Sequence, residues 1–271
     1  MLKRFKLNSL CSDKTVNVLI VLYAAVLPLG FAIANITLGI MLVFFVFCLI
    51  KERAAIIKDI VNDIVWIFMF SILFFIYLVS LIYSEDIDSG INQVFKKVPI
   101  LILTSFVFVF RKRVKNKTVL YAMKVFALSV TFVCFVSVFL ALYNCYDYDA
   151  SILRHCSSDQ NLASSFISYH KLYLSLYITI SIFFLVYSIF YLTNRKKSHF
   201  VEILQVGILF STLILLSSRN SILVSTFFII GLPLVYCLKN KMIVRFVLFG
   251  TTIVAVVFSS VYFNPVLQEK I

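Results

Sequence analysis

Apolar runs of about fifteen to twenty-five residues recur along this chain from residue 16 to residue 262, with only short polar breaks between them. A hydrocarbon layer of about 30 Å offers no water to backbone N–H and C=O groups, so a segment crosses it as a helix of about 20 residues that bonds to itself. A soluble fold is excluded on the same ground. Its residues are 62% hydrophobic and 14% charged, where soluble domains hold roughly 45–50% and 25%. The expected architecture is therefore all-α, a polytopic bundle of membrane helices. No soluble-looking stretch of fifty residues interrupts the pattern, so residues 1–271 read as a single integral membrane domain.

The runs fall approximately at 16–34, 36–50, 64–83, 98–110, 119–142, 172–192, 200–216, 221–238 and 243–262, which predicts about nine helices. Segment 16–50 is too long for one crossing, and Pro28, Gly30 and Asn35 supply a break within it. Segment 201–238 is also too long, and its polar break is Ser217-Ser218-Arg219-Asn220-Ser221. Cytoplasmic loops of membrane proteins carry the excess of Lys and Arg. With the N-terminus inside, 19 of the 25 basic residues fall on the cytoplasmic side, leaving Lys96, Lys97, Arg154, Lys171, Arg219 and Lys270 outside. Merging either hairpin would destroy this bias. The net charge of +13 thus reports orientation, not nucleic acid. A basic start followed by an apolar run and Ala32-Ile33-Ala34 also resembles a cleavable signal peptide; apolar sequence resumes at once, which favours an uncleaved hairpin.

The outward basic residues are where chemistry is to be sought. An arginine at a helix turn costs desolvation, and its planar fork matches phosphate. Asn220 or Ser221 beside Arg219 is suited to cap the following helix and turn a positive dipole end toward the same spot. The alternative is that Arg219 snorkels to a lipid headgroup. The longest polar stretch, 143–170, holds Arg154 and His155, and His170 with Lys171 opens the next helix. Either histidine has the proton affinity of a general base, or serves as a polar interfacial anchor. Tyr169, Tyr173 and Tyr177 share one helical face and fit an aromatic belt. Cys145 and Cys156 share this outer stretch, and a disulfide between them suits an oxidising compartment. In 84–99, an acidic start and then Ile91, Val94 and Phe95 at helical spacing predict a short interfacial helix whose Lys96 and Lys97 meet phosphate of lipid or ligand. No metal or nucleotide motif is present, and neither metal nor cofactor is expected. Near-absence of charge within the runs disfavours a proton-coupled carrier.

Three stretches together resemble the O-antigen ligase and polymerase superfamily of bacterial envelope glycosyltransferases: LIYSEDIDSGINQVFKKVPILIL (81–103), ISYHKLYLSLYI (167–178) and LLSSRNSILVS (215–225). In the second, Lys171 stands where family members often have proline; in the third, Arg219 occupies the family's arginine. The resemblance implies a multi-pass protein of the bacterial inner membrane. It implies metal-independent transfer or polymerisation of a glycan carried on undecaprenyl diphosphate, toward a glycan or lipid A core acceptor, at the periplasmic face. Arg219 would grip the diphosphate, with Arg154, Lys97 and Lys171 in support. Family ligases continue into a large outer loop carrying the histidine proposed as base. This chain stops at VYFNPVLQEKI, where that loop would begin, so the domain is expected to be incomplete at its C-terminus, or a short or inactive form. Within the chain, the base falls to His170 or His155. The rival functions are a lipid-linked glycan flippase and a non-catalytic subunit of a polysaccharide assembly complex.

Overall fold

The computed structural model describes residues 11–84, 86–146, 171–192, 199–216, 218–240 and 250–251. Every element among them is helical: α1 (Asp13–Val26), α2 (Phe31–Lys51), α3 (Arg53–Phe70), α4 (Ile72–Ser80), α5 (Ile87–Phe95), α6 (Val98–Phe110), α7 (Asn116–Tyr146), α8 (Lys171–Tyr187), α9 (Phe200–Leu215) and α10 (Arg219–Asn240). Among the described residues, five helical segments are long and apolar enough to cross a membrane: Phe31–Lys51, Ile87–Arg113, Asn116–Leu140, Lys171–Tyr191 and Asn220–Cys237. Arg53–Phe70 with Ile72–Tyr83, bent by 67°, makes a sixth if read as one broken span, and Phe200–Leu215 is a shorter apolar helix. Large apolar side chains such as Val43, Phe139, Leu223 and Phe227 stand exposed, as lipid-facing residues do. These features indicate a multi-pass membrane protein. The expected run at 243–262 lies outside the described residues apart from 250 and 251.

The first break falls at Pro28 and Gly30, whereas Asn35 lies inside α2, so the helices divide at 27–30 and not between the expected runs 16–34 and 36–50. Leu27–Leu29 forms a single 3-10 turn with Pro28 in it, and Gly30 then adopts φ 143°, a conformation side chains resist, so α1 cannot run into α2. The third expected span differs. Its helix begins at Arg53, eleven residues before the apolar run at 64, because 53–63 is an amphipathic extension that mean hydropathy does not register. It then bends at Ser71. That residue is fully buried, and its hydroxyl meets the Thr104 hydroxyl at 2.5 Å, which is bonded in turn to the Ile100 carbonyl at 2.7 Å. Buried hydroxyls in an apolar layer must find partners, and here the partner lies on another helix.

The chain packs as two compact units, one formed by 1–23 with 31–119 and the other by 24–30 with 120–271. In the first, α3 and α6 run antiparallel, as the pairs Asp63 with Arg111, Phe70 with Phe108 and Ser71 with Thr104 require. Phe44 on α2 packs against Phe106 and Phe110 at ring distances of 6.2 and 5.8 Å. A turn of three basic residues, Arg111–Arg113, closes this unit against α3. Arg111 pairs with Asp63 at 2.8 Å, Lys112 with Asp59 at 2.5 Å, and Arg113 with Glu52. The Asn17 side chain brackets the same turn, donating to the Arg113 carbonyl and accepting from the Lys115 N–H, both at 3.2 Å.

In the second unit α7 meets α9 through Lys124 with Glu202 at 2.8 Å, and Cys134 and Leu213 lie in one buried core. Helix α8 runs parallel to α10: Ser225 donates to Thr179 at 3.3 Å, Phe183 meets Phe228 at 5.0 Å, and Tyr191 meets Tyr236 at 5.3 Å. Small hydroxyl residues on the α8 face toward α10, Ser175 and Thr179, let the helices approach closely, which is how helices associate where lipid removes the hydrophobic drive. The end of α8 widens into a π turn, Ser188–Leu192, beside the proline-bearing stretch of α10, where the Tyr191 hydroxyl donates to the Leu232 carbonyl at 3.4 Å.

Candidate functional site

Helix α9 ends at Leu215 and α10 opens at Arg219, so the polar break SSRNS is a real interruption of the apolar run. Ser218 precedes the helix, and its carbonyl accepts the first helical hydrogen bond, from the Ile222 N–H at 2.9 Å. Its hydroxyl lies 3.1 Å from that of Ser221. The helix therefore starts ahead of Asn220 and Ser221, the residues expected to cap it, because Ser218 takes the capping place. Arg219 thus stands at the positive end of a helix of 22 residues. Its side chain lies outside what is described.

Lys171 is the first residue of α8, half-buried and engaged in a contact of its own. Because α8 and α10 are parallel, the Thr179–Ser225 contact sets the relative height of their first residues. Lys171 lies eight positions before Thr179 and Arg219 six before Ser225, or roughly 12 and 9 Å along the helix axes at 1.5 Å per residue. Two basic residues therefore begin two parallel helices at one end of the unit. His170, the preceding residue in the chain, lies outside the described residues, as do Arg154 and His155 and, with Cys156, the expected disulfide to Cys145.

Lys97 belongs to the first unit, where the expected short helix is present as α5. Asp86 caps it by accepting from the Ser89 N–H at 3.1 Å. Gly90 packs closely there: a Cβ would meet Leu81 Cδ2 at 2.7 Å and Ser84 Oγ at 3.1 Å, so a larger residue would have to push the Leu81 side chain aside. Ile87, Ile91 and Phe95 are exposed along it, an apolar stripe that suits the membrane interface. At the corner into α6, the Lys97 N–H donates to the Val94 carbonyl at 2.9 Å, and its ammonium sits 5.0 Å from the centre of the Tyr77 ring. That cation–π contact gives Lys97 a protein partner the sequence did not reveal.

No family model, curated protein or solved structure matches this chain.

Two polar groupings went unnoticed in the sequence. One is the row of acids at the start of α3: Asp59 and Asp63, four apart on one helical face, with Glu52 just ahead of the helix, and that spacing is the signal that would have found them. The other is His199, whose Nδ1 stands 2.9 Å from Glu202 while the same carboxylate holds Lys124. Among the described residues no group of three or more His, Cys, Asp or Glu gathers closely enough to hold a metal ion.

Proposed function

We propose that the chain is a membrane glycosyltransferase of the O-antigen ligase and polymerase type, acting on a glycan carried by undecaprenyl diphosphate. About nine membrane helices, with the N-terminus in the cytoplasm, belong to the same reading. So does residence in the bacterial inner membrane, where SSRNS and residues 143–170 face the periplasm. The observation that carries it is the pairing of α8 with α10, which brings the first residues of two parallel helices, Lys171 and Arg219, to one end of the unit. Glycan transfer from a lipid diphosphate develops negative charge on the leaving group, and fixed cations with helix N-termini stabilise such charge without metal. Arg219 supplies the fork that grips the diphosphate, Lys171 and Arg154 supply further positive charge, and His170 or His155 accepts the proton of the acceptor hydroxyl, on a sugar or on lipid A core.

The topology is tested by single-cysteine labelling of intact cells in a background lacking the native cysteines. Cysteines at 154 and 219 are expected to react with an impermeant reagent from outside, and cysteines at 115 and 196 only after lysis; labelling of 115 or 196 from outside overturns the orientation. The reaction is tested by deleting the gene and following the lipid-linked glycan. A transferase leaves that glycan accumulated in the periplasmic leaflet and its acceptor bare. Accumulation in the cytoplasmic leaflet identifies a flippase instead, and unchanged glycan transfer removes the enzyme reading altogether.

A further inference from the structure

Between Lys14 and Lys51 the chain carries no charged residue, and within that stretch α2 holds a single carboxamide, Asn35. Asn35 stands sixteen residues before Lys51, roughly 24 Å along the helix at 1.5 Å per residue, inside a hydrocarbon layer of about 30 Å. It faces away from its own unit. The face of α2 that packs inward is Ala34, Thr37, Leu38, Met41, Phe44 and Cys48. Asn35 lies with Gly39, Val43, Val46 and Ile50 on the opposite face, all of them exposed. The other polar group nearby is provided for, since the Thr37 hydroxyl donates to the Ile33 carbonyl at 3.0 Å. The Asn35 side chain, with two N–H donors and a carbonyl acceptor, makes no hydrogen bond to any described residue. Lipid offers it none, and it is too short to reach a headgroup as lysine does. By contrast α7 shows the lipid Leu128, Phe132, Phe135 and Phe139, with no such group to satisfy. One turn from Asn35 the backbone lies bare at Gly39, where an added Cβ would meet nothing within 4 Å.

We propose that this face of α2 is where two copies of the chain associate, α2 against α2, with their Asn35 carboxamides bonded to each other. Copies inserted the same way round in one bilayer are related by a twofold axis along its normal, so the two helices meet in parallel and Asn35 faces Asn35 at one depth. A carboxamide is its own electrostatic complement. The partly positive N–H of each meets the partly negative oxygen of the other, which forms hydrogen bonds that neither copy makes alone. Any other partner would need a polar group at that same depth, and a second copy supplies it by symmetry. Gly39 lets the two backbones approach beside the pair. Val43, Val46 and Ile50 follow it at spacings of four, three and four, which continues the seam down the helix as a coiled-coil stripe does. No residue assigned to glycan transfer takes part.

The test places a photo-reactive benzophenone side chain at 43 or 46 in the otherwise native full chain and irradiates it in membranes. A product of twice the chain's mass is expected from these positions. From 33 or 40, which are exposed as well but lie on the flanks of α2, labelling of lipid is expected instead. In phosphatidylcholine vesicles, energy transfer between donor- and acceptor-labelled copies, followed as lipid is added, measures the dissociation constant of the dimer. Asn35→Leu is expected to raise it roughly 3- to 30-fold, and Asn35→Gln, which keeps the carboxamide, to raise it less. Since Asn35 bonds to nothing in its own unit, these variants leave the fold in place, and the crosslinking pattern of the native sequence stands without them. Equal crosslinking from all four positions, a product with a different protein in place of the double mass, or energy transfer unchanged in Asn35→Leu overturns the proposal.

Discussion

Replacing Arg219 by alanine is expected to lower glycan transfer by roughly 30- to 1000-fold, the rate equivalent of losing about 2–4 kcal/mol of charge-assisted contact with the leaving diphosphate. Arg219→Lys discriminates the two roles open to this residue. A guanidinium that grips a diphosphate does so with paired N–H donors, and an ammonium keeps the charge but not the fork, so lysine fails nearly as badly as alanine. A guanidinium that only reaches for lipid headgroups is replaced by lysine with little loss. The position makes the substitution informative, since Arg219 opens α10 after a serine whose carbonyl already carries the first helical hydrogen bond. Neither variant disturbs that backbone bond. The measurement is transfer of the lipid-linked glycan in membranes, normalised to the amount of protein inserted. Transfer near wild type in Arg219→Ala removes the arginine from the mechanism, and with it the main support for diphosphate chemistry.

Where the sequence speaks for the fold, it does so through local chemistry. Gly30 ends one helix and permits the next because of its own backbone freedom, and the polar residues of SSRNS interrupt an apolar run by their own cost in lipid. Such features need no knowledge of neighbours. The bend at Ser71 is the opposite case: the surrounding residues are apolar without a break, and what marks the position is a hydroxyl on Thr104, thirty-three residues on. The start of α3 was also hidden, since Arg53 to Asp63 alternates charge with apolar residues, and a hydropathy reading sees a loop where the structure has a helix. At the candidate site the same division holds. Arg219 was legible from its setting, whereas the pairing of Lys97 with Tyr77, and the common height of Lys171 and Arg219, follow from packing between helices distant in sequence.

Basic residues counted as markers of orientation have a structural duty as well, and it is unequally shared. Asp63 is 3% exposed in its side chain, its Oδ1 held by Arg111 at 2.8 Å while its Oδ2 has no hydrogen-bond partner. Arg111 itself is 48% exposed, so the pair is buried on one side only; removing the arginine leaves a buried carboxylate with no counter-charge, and the cost falls below the roughly 3–5 kcal/mol of breaking a fully buried pair. Lys112 and Asp59 are a different kind of pair, with side chains 59% and 22% exposed, and an exposed ion pair contributes about 0–1 kcal/mol. Arg111→Ala is therefore expected to lower the unfolding midpoint of the detergent-solubilised protein far more than Lys112→Ala, although the two residues are neighbours in one turn. The double variant Arg111→Ala with Asp63→Ala is expected to recover most of the loss, because it removes the stranded charge along with its partner. Equal losses at 111 and 112, or no recovery in the double variant, mean that Asp63 does not hold this turn by charge.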